Sequence, residues 1–187
     1  MILNFKHFKN NERVEQEIIY DQCHRKLFFT ALRILNNQFE AEEVMHDTLL
    51  KFFSLEERFA TIKERDSWMS RVCINMAIDL IRKRKVEKLK RDNLEKEEFL
   101  IQSNESELVS LNGVTPQMIK DALKTISQGY RIVLSLNLFE GYDYEEISQI
   151  LDIKEVSVRS QFIRGKASLI AQIEKLKETK KVSYGTY

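Results

Sequence analysis

The chain carries 187 residues, of which 43% are hydrophobic and 32% charged, with one proline and five glycines. Such a chain can build one large domain or two small ones, and it lacks the turn-formers of a many-stranded sheet. Its formal net charge is only +1, and no apolar run approaches the roughly 18 residues that cross a bilayer.

The first residues, MILNFKHFKNNERVEQ, lack the apolar stretch and cleavage site of a signal peptide. Cys23 and Cys73 fall among apolar helical positions, so a reduced, cytoplasmic protein without direct membrane insertion is expected. The near-neutral total hides a steep local contrast. Residues 82–91, RKRKVEKLKR, hold seven basic side chains and one acidic, whereas residues 92–113 hold one lysine and six acids. Local charge therefore carries the information that net charge does not.

Apolar residues at 14, 18, 19, 23, 27, 28, 31, 32 and 35 keep helical spacing and predict a first helix over 14–35. Asn37 with Glu40 has a capping-box pattern and opens a second helix, 38–53. That helix buries Ala41, Val44, Met45, Thr48, Leu49 and Phe52, leaving Glu40, Glu43, His46, Asp47 and Lys51 on its other face. The polar stretch 54–66 reads as a loop, with Asp66 or Ser67 capping a third helix. Met69, Val72, Cys73, Met76 and Leu80 form the apolar stripe of that helix. Arg71, Asn75, Asp79 and Arg82 form a polar one, and the helix runs out into the basic cluster. Residues 92–114 lack a sustained stripe and read as a charged linker. Thr115 followed by Pro116 is a strong helix start, and four helices follow, at 116–127, 129–139, 143–151 and 155–176. Gly141 closes the second of these, and residues 177–187 read as a polar tail.

The stretch DYEEISQILDIKEVSVRSQFIRGK, residues 143–166, has the pattern of a helix-turn-helix. Asp143 and Glu146 repeat the capping box, and Ile147, Ile150 and Leu151 give its first helix a buried side. Val158 and Phe162 dock the second helix, leaving Glu155, Ser157, Arg159, Ser160, Ile163 and Arg164 outward. A recognition helix needs that arrangement, because its first turns reach base edges while cations grip phosphates. Residues 154–187 hold eight basic side chains against three acidic, which suits a nucleic-acid partner.

Read together, the two halves resemble bacterial RNA polymerase sigma factors of the extracytoplasmic-function (ECF) group. ALRILNNQFEAEEVMHDTLLKFF and SWMSRVCINMAIDLIRKRK resemble region two, and ALKTISQGYRIVLSLNLFEGYDYEEISQILDIKEVSVRSQFIRGKASL resembles region four. The resemblance implies an all-α protein with a region-two domain at 1–91, the linker, and a region-four domain at 115–176. It implies a transcription initiation factor, not an enzyme, that joins core RNA polymerase and recognises promoter −35 and −10 elements. Carried over, Glu40, Glu43, His46, Asp47 and Lys51 would meet the polymerase β′ clamp helices, and region four the β flap. Phe59, Arg71 and Asn75 would serve the −10 element as pocket or edge residues, with Arg82, Lys83, Arg84 and Lys85 on phosphates. Trp68 reads more readily as core than as a base-stacking platform. Ser157, Arg159, Ser160, Ile163, Arg164 and Lys166 would serve the −35 element. The family also implies an anti-sigma partner. This chain departs from the family pattern at His46, at Ile126-Ser127, at Val156-Ser157 and at Gln161. Val156-Ser157 stands where Gly-Thr is common, which implies a less relaxed turn.

Three other readings compete with this one. An enzyme finds no metal-protease spacing among His7, His24 and His46 and no glycine-rich phosphate loop. Cys23, His24 and His46 could approach one another, but Cys23 lies on the apolar stripe, so neither a metal nor a cofactor is expected. A standalone helix-turn-helix regulator with an N-terminal sensor or dimerisation domain would explain 115–176 but not the basic run after Asn75. A sigma-like protein that occupies polymerase without reading a promoter would have no need of Arg159 and Arg164.

Overall fold

The computed structural model describes residues 3–55, 59–91 and 113–184. Among the described residues every regular element is an α-helix: α1 (Leu3–Leu35), α2 (Gln38–Phe53), α3 (Ile62–Arg91), α4 (Pro116–Thr125), α5 (Gln128–Leu138), α6 (Tyr144–Leu151) and α7 (Glu155–Tyr184). They fall into two compact units, Met1–Glu87 and Lys88–Tyr187. Most of the expected linker, 92–112, lies outside the described residues.

In the first unit two adjacent asparagines turn the chain by opposite means. Asn36 takes a left-handed φ of 54° and its N–H reaches back to Leu32 O at 2.9 Å, closing α1. Asn37 is extended, and its side chain accepts from Glu40 N at 3.3 Å, opening α2. Only half of the expected capping box forms, because the Glu40 carboxylate turns to Arg84 on α3 instead. The third helix starts earlier than the sequence pattern suggested. Thr61 Oγ1 accepts from Glu64 N and Glu64 Oε2 accepts from Ala60 N, both at 3.1 Å. This satisfies the first-turn donor Glu64 N from Thr61 and carries Asp66 and Ser67 into the helix. Helices α1 and α7 run longer than expected, to Leu3 and Tyr184. No glycine or proline interrupts 3–13 or 177–184, so nothing in the chain stops either helix.

Helix α3 lies against both α1 and α2. The Cys73 thiol donates to Leu27 O at 3.5 Å, and Thr48 Oγ1 reaches Met76 Sδ at 3.8 Å. Leu27, Ala31 and Ile34 of α1, Ala41, Val44, Met45 and Leu49 of α2, and Met69, Cys73, Ile74, Ala77 and Ile78 of α3 make the core. The buried stripe of α3 is therefore rotated from the expected one: Val72, Met76 and Leu80 are half-buried at its edge.

The second unit is built around α7, which packs on α4, α5 and α6. Leu123, Ile126 and Leu134 form its core, flanked by Ile119, Tyr130, Phe162 and Leu169. Thr115 caps α4 by accepting from Met118 N at 3.3 Å, with Pro116 at the first turn. Gly141, at φ 80°, ends the α5 excursion, where Tyr142 N bonds Leu136 O. Gly165 is buried against α5 for a different reason. A Cβ there would lie 3.0 Å from Tyr130 Cβ and 3.3 Å from two carbons of Leu134. Tyr130 Cβ is fixed to its backbone and cannot swing away.

Gly165→Ala is therefore expected to cost about 1–3 kcal/mol through overpacking, despite alanine's better helix propensity. Gly129→Ala, whose new methyl meets only the flexible end of Gln161 at 3.1 Å, is expected to be neutral or mildly stabilising. Thermal melts of the two variants, read side by side, check the contrast.

Candidate nucleic-acid interface

The helix-turn-helix is held by its caps. Asp143 accepts from Glu146 N at 2.8 Å while Glu146 Oε2 accepts from Asp143 N at 3.0 Å, a complete capping box. Helix α6 ends on Asp152, which takes a left-handed φ of 54°, a conformation aspartate tolerates better than most side chains. Ile153 N then bonds Ser148 O at 3.1 Å. The turn thus consists of Asp152, Ile153 and Lys154. Val156 and Ser157 lie inside α7, so their replacement of Gly-Thr does not tighten the turn.

Within α7, Val158 is fully buried and Phe162 meets Tyr144 of α6 at 5.4 Å between ring centroids. That contact fixes the rotation of α7. Arg159, Ile163, Arg164 and Lys166 are exposed as expected, whereas Ser157 and Ser160 are half-buried. Arg159 is not a free cation. Its guanidinium pairs with Glu155 at 2.9 Å and lies 5.6 Å from the Tyr144 ring centroid. Val156, a departure from the family pattern, belongs with these outward residues. It is 75% exposed in the first turn of α7. Its spacing from Ser160 and Ile163 was the signal that could have placed it on the outward line.

In the first unit, Arg71, Asn75, Arg82, Lys83 and Lys85 are exposed along α3, and Arg82 pairs with Asp79 at 3.2 Å. Phe59 and Trp68 are half-buried and meet at 5.8 Å, and both pack against Phe52. Phe59, expected at a base pocket, and Trp68, expected as core, belong to the same aromatic cluster at the α3 N-terminal end.

On α2, Glu43, His46, Asp47 and Lys51 are exposed, joined by Phe39 and Leu50. Glu40 departs from the expected face. Its side chain is 21% exposed and pairs with Arg84, itself 36% exposed. One residue expected to meet polymerase and one expected to grip phosphate are thus partners of each other. Their sequence separation hid this, since only tertiary packing brings α2 to the end of α3. His46 stacks beside Tyr20, as does His24, whose Nδ1 lies 2.8 Å from Tyr20 O.

Burial pushes the Cys23 thiol above its usual range, with Asp66 adding to the rise and Arg65 opposing it. The thiol is therefore the protonated form, 3.8 Å from Asp66 Oδ1, which suits a core position and not a metal ligand. No group of metal-ligating side chains occurs among the described residues. Among those residues, too, no helix is long and apolar enough to cross a membrane.

A three-helix unit with an aromatic cluster and a basic helix end, followed by a four-helix unit ending in a helix-turn-helix, matches two known domain families. Residues 19–87 match the family described as Sigma-70 region 2, and residues 117–169 match Sigma-70, region 4. The chain belongs to the sigma-70 family of transcription initiation factors. Within it, the chain is an ECF-type RNA polymerase sigma factor. It is 24% identical over 168 residues to the ECF RNA polymerase sigma factor SigW of Bacillus subtilis, spanning 84% of this chain and 88% of that one. It is 23% identical to RNA polymerase sigma factor SigZ of the same organism, over 84% and 86% of the two chains. In fold it is similar to the sigma factor RpoE from Bartonella quintana, solved in complex with the anti-sigma factor NepR. That match has a TM-score of 0.54 and 20% identity, and covers 84% of this chain and 96% of the other.

The Glu40–Arg84 pair predicts an asymmetry among the α2 acids. Glu40→Gln is expected to destabilise the first unit by about 1 kcal/mol, as for a partly buried charged hydrogen bond. Glu43→Gln should change stability by less than about 0.5 kcal/mol. Urea unfolding of both, with Arg84→Gln alone and combined with Glu40→Gln, gives the coupling directly.

Proposed function

We propose that this sigma factor divides its work among three surfaces: the exposed face of α2 for polymerase, the α3 stripe for the −10 element, and the outward line of α7 for the −35 element. The observation that carries this reading is the helix-turn-helix, in which α7 is rotated by Val158 and Phe162 so that Arg159, Ile163, Arg164 and Lys166 face solvent. A helix presented in this way fits a major groove, with cations placed for the phosphates on either side.

On α2, Glu43, His46, Asp47 and Lys51 would meet the β′ clamp helices, where mixed charge supplies register more than raw affinity. Glu40 would serve this surface from behind, through Arg84. On α3, Arg71 and Asn75 would face the −10 element, with Arg82, Lys83 and Lys85 on phosphates. Phe59 and Trp68 would form the apolar wall near which an unstacked base could sit. The region-four unit would dock on the β flap. An anti-sigma partner would cover these same surfaces, a reading supported by the fold neighbour, which was solved with one. A standalone dimeric regulator has no use for a basic run on α3, and both sigma regions are matched here in order.

Co-elution with core RNA polymerase followed by run-off transcription from genomic fragments tests the whole reading. Binding with promoter-specific transcripts is expected. Tight DNA binding by the protein alone, with no polymerase association, would instead support the regulator. Two substitutions separate the DNA surfaces. Lys83→Ala is expected to weaken promoter binding uniformly and to flatten its salt dependence by about one phosphate contact. Arg159→Ala is expected to reduce discrimination between native and scrambled −35 elements. Equal loss on both templates would remove Arg159 from that role.

A further inference from the structure

The outward line of α7 carries a chemistry that its cations do not explain. Val156, Ser160, Ile163 and Ala167 follow at spacings of four, three and four residues, so they share one line along the helix. Val158 and Gly165, on the opposite line, are buried. Val156 is 75% exposed and Ile163 is 59% exposed. Arg159 and Lys166 lie to one side of the line and Arg164 to the other, all exposed.

The polar groups at the tip of α7 occupy one another. Glu155 holds Arg159 at 2.9 Å, and the Tyr144 ring lies under the same guanidinium. Glu155 is thereby not presented as a free acceptor for a cytosine amine, and Arg159, held by Glu155 and Tyr144, stands beside the line and not on it. The side chain most exposed in the first turn, Val156, is aliphatic. A protein-binding face would carry an apolar centre depleted of charge, whereas this line is narrow and has cations on both flanks. That pattern matches a major groove, where phosphates line both walls and the thymine C5-methyl is the apolar group on the floor.

We infer that Val156, with Ile163 as a second point, selects the −35 element by packing on thymine methyl groups. The inference rests on the reading that α7 enters the −35 major groove. Helical rise sets the two side chains about 10 Å apart, close to three base steps of duplex. The two methyls therefore belong to separate base pairs.

The test uses holoenzyme reconstituted from the full chain and core RNA polymerase on a promoter found by run-off transcription. Each −35 thymine is replaced in turn by uracil, which removes the methyl and nothing else. At one position the wild-type holoenzyme is expected to lose about fourfold in transcription, the size of one buried methyl group. There Val156→Ala should transcribe thymine and uracil templates equally, and its exposed side chain keeps folding out of the comparison. Uracil without effect at every position, a penalty that persists in Val156→Ala, or a −35 element with no A·T pair would overturn the inference and leave the −35 reading standing. A scrambled −35 element transcribed as well as the native one would overturn both. Loss of anti-sigma binding in Val156→Ala with no uracil effect would assign the line to that protein surface instead.

Discussion

The contact on which the second unit depends is the approach of α7 to α5 at Gly165. A hydrogen in place of a side chain lets the two helices meet where a Cβ would stand 3.0 Å from Tyr130 Cβ. Close packing there, with Val158 and Phe162 on the same side, leaves α7 one rotation about its axis. Everything proposed for the −35 element follows from that rotation, since a helix that buries one line must expose the opposite one. A wider spacing would leave α7 free to turn, and Val156, Ile163 and Arg164 would have no fixed direction.

The first unit reaches the same end by sharing α3 between two partners. Cys73 closes on the α1 backbone at Leu27, Thr48 of α2 reaches Met76, and Glu40 pairs with Arg84 beyond them. These contacts run along α3 from Cys73 to Arg84, so its exposed line of Arg71, Asn75 and Arg82 is presented on a packed element. Placing contact residues on a packed helix, not a loop, keeps their geometry set before any partner arrives. The Glu40–Arg84 pair also ties the acid-bearing helix to the basic one, joining the surfaces proposed for polymerase and for the −10 element.

Charge follows the same economy. Opposite charges cancel in the total of +1 but are segregated by position. The acids of α2 face away from its buried stripe, and the cations gather at the end of α3 and along α7. A sigma factor must meet protein and DNA with different surfaces, and segregation serves that need where net charge cannot.

Much of this was legible in the chain. Helical periodicity, the Asn37–Glu40 and Thr115-Pro116 signals, and the Asp143–Glu146 box marked the elements, because each acts over three or four residues. The helix-turn-helix and its outward cations were legible for the same reason. Less legible were ends and partners. The start of α3 moved to Ile62 because Thr61 and Glu64 formed the cap that Asp66 was expected to supply. Its buried stripe lies where α1 and α2 cover it, rotated toward Ile74, Ala77 and Ile78. The pairing of Glu40 with Arg84 and the placing of the Tyr144 ring under Arg159 were decided by tertiary structure alone, whereas the Glu155–Arg159 pair and the outward line of Val156 follow helical spacing. Sequence fixes which residues share a helix face through a period of 3.6. Which face is covered, and by whom, depends on contacts between residues far apart in the chain, and those exist only once the helices have packed.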